Sequence, residues 1–331
     1  MNITFFSTQA YDKRSFEEHN KGYAFNIKFL DVQLNEQTAT LATGADAVCA
    51  FVNDRINGAI IRQLTEAGVK VIALRCAGFN NVDLMAAKEY NLKVVRVPAY
   101  SPHAVAEHAV AMIMTLNRKT HKAYNRIREQ NFSLNGLLGF DLYQKTVGVI
   151  GTGNIGQVFC KIMKGFGCDV VAFDINPDES LISMGIRYAD LKEVFAKSDI
   201  ISLHCPLNEH TRYIINRDAI ESMERNVMLI NTSRGGLIDT KAVVDGLKSG
   251  KIGSLGIDVY EQEENLFFRD LSDTIIEDDV IARLSSFPNV LITAHQGFFT
   301  HEALAQIAET TLSNLKAFHQ NELLVNEVKL G

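Results

Sequence analysis

An α/β chain of two domains, each a parallel sheet flanked by helices, is what three observations predict. First, 331 residues exceed what one ordinary core organises and suit two domains. Second, short apolar runs alternate with helix-like stretches along the chain, which is the spacing of β-α units. Third, Gly151, Gly153 and Gly156 form a G-x-G-x-x-G run directly after an apolar stretch at 146–150. That run opens a mononucleotide-binding fold and sits near mid-chain, so the residues before it need a core of their own.

Before the glycine run, the segments 3–6, 27–30, 47–51, 69–74 and 92–97 are short and apolar, as strands of a parallel sheet covered on both faces are. Stretches such as 56–67 and 84–90 read as the helices between them. Residues 104–116 are apolar on nearly every face, which no surface helix is, so this segment is expected to pack between domains or against a second subunit. After the run, 147–150, 170–173, 200–203, 227–231, 254–259 and 290–293 supply a second series of strands. From 302 to 318, Ala303, Ile307, Thr311, Leu315 and Phe318 fall near one helical stripe, as in a terminal core helix. No short repeat or low-complexity tract separates the two series, so the cleft between domains is expected to be hinged rather than tethered.

Composition excludes several classes. With 47% hydrophobic and 22% charged residues the chain has the balance of a folded globular protein. The net charge of −6 is mild and the basic residues are scattered, which favours neither nucleic acid nor an anionic membrane surface. Cys49, Cys76, Cys160, Cys168 and Cys205 are odd in number and contain no C-x-x-C pair, so neither a disulfide framework nor a zinc site is expected. The first ten residues lead into Asp12, Lys13 and Arg14 without a signal-peptide core, and no stretch is long and apolar enough to span a bilayer. A reducing cytoplasm is the expected location. His103 and His108 lack ligand spacing, and no metal is expected.

Glycines at a strand-to-helix turn let backbone N–H groups approach a pyrophosphate at the helix N-terminus. Asp174 follows the second strand of this series, about 20 residues past the glycines, where a carboxylate accepts hydrogen bonds from ribose hydroxyls. It favours NAD over NADP, whose extra phosphate it would repel. It also suits a turn ahead of Asn176-Pro177, and both readings can hold.

Three strand ends carry reactive side chains, at 231–235, 258–263 and 293–296, and carboxyl ends of parallel strands face the ligand crevice. Arg234 can clamp a carboxylate through two hydrogen bonds, His295 can exchange a proton near neutral pH, and a glutamate can orient the imidazole. Such a set suits hydride transfer to a 2-oxo acid. Strand-end arginines also make structural ion pairs and histidines also fill polar corners. Glu261, Glu263 and Glu264 are equal candidates by position.

Across essentially its whole length the chain resembles the D-isomer-specific 2-hydroxyacid dehydrogenase family, most closely its fermentative D-lactate branch. The resemblance is carried by Val149-Ile150-Gly151-Thr152-Gly153-Asn154-Ile155-Gly156, Ser202-Leu203-His204-Cys205-Pro206-Leu207, Asn231-Thr232-Ser233-Arg234-Gly235-Gly236 and Gly256-Ile257-Asp258-Val259-Tyr260. The first motif is common to many folds; the set in this order is specific.

The resemblance implies a flavodoxin-like substrate domain at 1–100 plus 299–331 and an NAD-binding Rossmann domain at 101–298. It implies Arg234, Glu263 and His295 as the catalytic residues, with Arg234 on the substrate carboxylate, Glu263 supporting the histidine and His295 as acid–base. For the cofactor it implies Gly151, Gly153, Asn154, Ile155, Gly156 and Asp174, with Cys205, Pro206, Thr211, Thr232, Ser233 and Asp258 lining the nicotinamide side. For the substrate it implies Ala77 and Gly78 as a backbone cradle beside Arg75, with Tyr100 and Phe298 as pocket walls or interdomain packing. Many members carry an aspartate where this chain has Asn80, which weakens inference about that loop. The implied reaction is reversible hydride transfer from NADH to pyruvate, giving D-lactate. The alternatives are a larger 2-oxo acid, or an NAD(H)-sensing regulator on the same fold. A homodimer is expected, or a tetramer.

Overall fold

Strands form where apolar runs are short and continuous, because a parallel strand covered by helices on both faces has no solvent side to alternate toward. The computed structural model describes residues 1–329, the side chain of residue 265 apart. It divides into two units, Met1–Ser101 with the residues from Phe299 on, and Pro102–Phe298. Leu330 and Gly331, the last residues of the expected 299–331 segment, lie outside the described residues.

The first unit holds β1 (Asn2–Phe5), β2 (Asn26–Phe29), β3 (Ala47–Ala50), β4 (Val71–Leu74) and β5 (Lys93–Arg96), all parallel, in the order β2-β1-β3-β4-β5. β3 and β4 are buried at every position, whereas the edge strand β2 alternates exposed and half-buried residues. The Gly58–Glu66 helix starts where Asn57 accepts the Ile60 N–H, and the Leu84–Glu89 helix where Asp83 accepts that of Ala86. The His301–His319 helix returns to this unit and packs against the Ala10–Asn20 helix and β4.

The second unit holds β6 (Thr146–Ile150), β7 (Asp169–Phe173), β8 (Arg187–Tyr188), β9 (Ile200–Leu203), β10 (Val227–Asn231), β11 (Ile252–Ile257) and β12 (Val290–Ile292). Their order, β12-β11-β10-β9-β6-β7-β8, reverses direction between β6 and β9, so the carboxyl ends of those two strands flank the switch point where such sheets bind ligands. β8 has only two residues, one exposed and one half-buried, and no apolar run announces it.

The segment expected to pack between domains or subunits forms the Pro102–Arg118 helix, and much of its apolar surface packs within the second unit. Ala106, Ala109, Met112, Ile113 and Leu116 join a core with Val147, Phe159 and Ile230, between the Asn154–Gly165 helix and β10–β12. Exposed apolar residues follow it instead. The Thr120–Arg128 helix buries no residue, and from it to 143 Tyr124, Ile127, Phe132, Leu134, Leu138 and Tyr143 are each more than half exposed.

Candidate functional site

At the switch point the chain turns from β6 into the Asn154–Gly165 helix through Gly151, at φ +95°, where a side chain would strike the Cys205 backbone. A Cβ on Gly156 would run into the Gly151 carbonyl, so helix and loop approach as only glycines allow. Ahead of the helix, a Cβ on Gly153 would meet nothing within 4 Å. No side chain caps this N-terminus, which leaves its first amides without a side-chain acceptor. The Thr232 hydroxyl, at the end of β10, is buried without a hydrogen-bond partner. Uncapped amides on a glycine loop and an orphaned hydroxyl fit a dinucleotide.

Asp174 follows β7. Its carboxylate accepts the Thr152 N–H at 2.6 Å and the Asn176 N–H at 2.9 Å, so it ties the glycine loop to its own turn, and each oxygen keeps a lone pair for a hydroxyl. His204 and Cys205 lie behind the loop. Burial drives the His204 pKa down to about 3, so the ring is neutral, with its Nε2 2.9 Å from the Ser202 hydroxyl. Burial likewise pushes the Cys205 thiol up to about 11, which rules it out as a nucleophile at neutral pH. Pro206 is exposed. The Thr211 hydroxyl donates to the Pro206 carbonyl at 2.6 Å and accepts the Asn208 N–H, which holds the turn after Pro206.

Three strand ends bring the expected trio into one region. After β10, the fully buried Asn231 holds the turn by donating to the Arg234 carbonyl and accepting the Ser233 N–H, while the Ser233 hydroxyl donates to the Cys205 carbonyl. The half-buried Arg234 side chain donates to the Ser233 carbonyl at 2.6 Å. A Cβ on Gly235 would collide with the backbone of Tyr260 and Glu261, so the arginine loop lies directly against the loop that follows β11. That second loop carries Glu263, whose Oε2 accepts the Tyr260 N–H at 2.9 Å and whose Oε1 lies 2.8 Å from Nδ1 of His295. An ionised carboxylate only accepts, so Nδ1 carries the proton and Nε2 is left to face a reactant. Glu261 is occupied elsewhere, by Tyr213 and Thr240. Among the glutamates it is therefore Glu263 that meets the imidazole.

His295 has φ +53°, a strained value for a residue with a side chain, and Asp258 fixes it there. The Asp258 carbonyl accepts the His295 N–H at 2.7 Å. Its carboxylate takes the Gln296 N–H on Oδ1 and the Gly297 N–H on Oδ2, both at 2.8 Å, with the Thr293 hydroxyl at 2.5 Å from Oδ1. Burial opposes its charge, yet hydrogen bonds from His108 and Thr293 and the positive charge of His108 and His295 outweigh burial and hold the carboxyl below the usual aspartate range. Asp258 is only 1% exposed, and in this structure its carboxylate organises the His295 loop.

Arg75 departs from the expectation. It is 1% exposed, donates to the Phe6 and Ser7 carbonyls, lies 3.4 Å from Asp12, and is sandwiched between the Phe5 and Phe51 rings. It holds the carboxyl ends of the first unit's strands together and is not free to bind substrate. Ala77 and Gly78 follow it, with the Ala77 carbonyl accepting from Arg96 at 2.7 Å. Tyr100 is half-buried and Phe298 buried. The sequence reading missed Phe268, at φ +63°, whose ring centre lies 5.9 Å from that of His295. It also missed the linkage of His108 to Thr293. The single signal for Phe268 was its closeness in sequence to Glu263.

Comparison with known proteins places these features. Residues 110–297 match the family described as D-isomer specific 2-hydroxyacid dehydrogenase, NAD binding domain. A D-lactate dehydrogenase of Escherichia coli (strain K12) is 53% identical over 328 residues, covering 99% of this chain and all of the relative. The apo structure of D-lactate dehydrogenase from Escherichia coli superposes with a TM-score of 0.92 at 50% identity, covering 99% of this chain and 100% of that one. A structure titled for the pyruvate reductase of Chlamydomonas reinhardtii gives 0.94 at 47% identity, covering 98% of each chain.

Proposed function

The chain belongs to the D-isomer-specific 2-hydroxyacid dehydrogenase family, NAD-dependent oxidoreductases, and from that premise we propose that it reduces pyruvate to D-lactate. The observation that carries the reading is the Glu263–His295 pair at 2.8 Å, on a loop against which the Arg234 turn packs directly. Gly151, Gly153, Asn154, Ile155, Gly156 and Asp174, with Thr232 and Ser233, would hold the dinucleotide, which when bound supplies the hydride. Arg234 pairs the substrate carboxylate and so fixes the reacting carbon. Nε2 of His295 donates a proton to the keto oxygen, where charge builds as the carbon is reduced, and in the reverse direction takes it from the hydroxyl. Glu263 holds Nδ1–H and stabilises the imidazolium. The first unit, through Ala77, Gly78 and Tyr100, is the substrate domain in this reading, and Phe298 is a pocket wall.

NADH consumption with pyruvate, run beside larger 2-oxo acids and with product chirality checked, tests this reading. Fast turnover to D-lactate supports it, and a faster larger acid moves the substrate while keeping the chemistry. NADH binding without turnover on any acid would leave an NAD(H)-sensing regulator.

A homo-oligomer, a dimer before a tetramer, is part of the proposal. It is supported by the large apolar side chains exposed between Tyr124 and Tyr143, which a second subunit would cover. Light scattering of the wild type and of Leu138→Lys checks it. A cytoplasmic location is supported by five free, buried cysteines, and among the described residues no helix is long and apolar enough to cross a membrane.

A further inference from the structure

We infer that His108 is a positioning residue for the acid–base histidine, acting from the Pro102–Arg118 helix through Thr293 and Asp258. The inference rests on the reading of His295 given above. Met112 and Leu116 lie one and two turns beyond His108 on the same helical stripe, and both lie against Gly256 of β11. Asp258 is two residues further along the chain from Gly256. The helical and extended periods thus bring His108 level with Asp258 at the carboxyl end of the sheet.

The hydrogen bonds fix its role. Thr293 has one hydroxyl proton, and that proton goes to Asp258 Oδ1. Its oxygen must therefore accept from His108 Nε2, at 3.1 Å, and the same Nε2–H lies 3.4 Å from Asp258 Oδ1. Asp258 is an acceptor on both oxygens for the N–H groups of Gln296 and Gly297, the residues that follow His295. No lysine or arginine pairs with Asp258 among the described residues; the side chain that approaches it with a nitrogen is His108, at 3.4 Å. A buried carboxylate without its partner shifts or draws in water, because an uncompensated buried charge is costly. Such a shift would move the two amides it holds, and with them the strained backbone of His295. The His108 ring bonds to Thr293 and Asp258, whereas Glu263 bonds to His295 and Tyr260 and Arg234 to Ser233, so the effect of His108 is on placement.

The test uses the full-length enzyme with His108→Ala and His108→Gln, reading kcat and KM for pyruvate, NADH affinity by fluorescence titration, and Tm. His108→Ala is expected to lower kcat about 10- to 100-fold, the loss of one charge-assisted hydrogen bond, with NADH affinity and the KM for pyruvate within about threefold of wild type. His108→Gln, whose amide N–H can reach the same two oxygens, is expected to recover most of that loss. A kcat for His108→Ala within about twofold of wild type overturns the inference. So does a His108→Gln enzyme as slow as His108→Ala, or a loss of kcat matched by equal losses of NADH affinity and Tm. His295→Gln separates the two claims. If it retains turnover the reading of the site fails, whereas if it is inactive while His108→Ala is normal, the positioning role alone fails.

Discussion

Replacing Glu263 by glutamine removes a charge while keeping the side-chain shape, and the two hydrogen bonds of Glu263 make the outcome calculable. Oε1 accepts from His295 Nδ1 at 2.8 Å and Oε2 accepts from the Tyr260 N–H at 2.9 Å. An amide offers one acceptor and one donor, so whichever way glutamine turns, its NH2 faces one of two N–H donors. With the oxygen toward His295, the Tyr260 N–H loses its acceptor and the loop carrying residue 263 loosens. With the oxygen toward Tyr260, the imidazole loses its orientation. Leaving a part-buried donor unsatisfied costs about 1–3 kcal/mol, and exchanging a charged for a neutral acceptor removes about 1 kcal/mol more. A total of about 2–4 kcal/mol expressed at the transition state corresponds to a roughly 30- to 900-fold fall in kcat/KM for pyruvate. Initial rates of NADH oxidation with Glu263→Gln, beside Glu263→Asp and Glu261→Gln, provide the assay. Glu261→Gln should keep kcat/KM near wild type, because Glu261 is bonded to Tyr213 and Thr240 rather than to the imidazole. Should Glu263→Gln match wild type while Glu261→Gln is slow, the assignment of the pair is wrong.

Arg234→Lys keeps the charge but loses the planar fork, and a fall of about 100-fold in kcat/KM for pyruvate is expected from kinetics at saturating NADH; normal kinetics would refute the clamp. Asp174→Ala should lower the preference for NADH over NADPH and reduce stability by about 1–2 kcal/mol, because the Thr152 and Asn176 N–H groups lose their acceptor; an unchanged coenzyme ratio contradicts the ribose role. Stability should fall as pH drops below about 6.5: unfolded His204 then takes up a proton that the folded site, with a pKa near about 3, refuses. Each pH unit in that window removes about 1.4 kcal/mol, so urea unfolding at pH 7 and pH 5 should differ by about 2 kcal/mol from this group, and His204→Gln should flatten that part of the slope. A slope that survives His204→Gln intact places the effect elsewhere.

The strands were legible and the edges were not, for one physical reason. A strand covered on both faces, such as β10 (Val227–Asn231), is buried at every residue and reads as an unbroken apolar run. β8, with Arg187 exposed and Tyr188 half-buried, pairs through its backbone to β7, and backbone pairing leaves no mark in side-chain pattern. The 104–116 segment shows the converse. Its apolar character was visible, but apolarity says that a surface is covered and not by what. The cover is the Asn154–Gly165 helix on one side and β10–β12 on the other. The exposed residues that would fit a second subunit, from Tyr124 to Tyr143, are spaced irregularly and gave no periodic signal.

Within the site, residue type was readable where chemistry demands it, and role was not readable where several geometries share a type. Three glutamates within four positions cannot be ranked by sequence, since one turn sends Glu261 to Thr240 and Glu263 to His295. Arg75 and Arg234 both follow parallel strands and look alike as carboxylate clamps. Arg75 is closed in by Phe5, Phe51 and two carbonyls, whereas Arg234 is half-buried and engages one carbonyl beside it. Asp258 stands where a ligand contact was expected and also builds the loop beside it, a second role that a carboxylate at a strand end does not announce in sequence. Its two oxygens accept the Gln296 and Gly297 amides and the Thr293 hydroxyl, and the residue they fix in a left-handed conformation is His295. An acid–base residue held at φ +53° needs such support, because the strain of that backbone would otherwise be relieved by a turn of the chain that carries the imidazole away. In the proposed reaction the buried aspartate would therefore contribute by fixing where the proton is delivered.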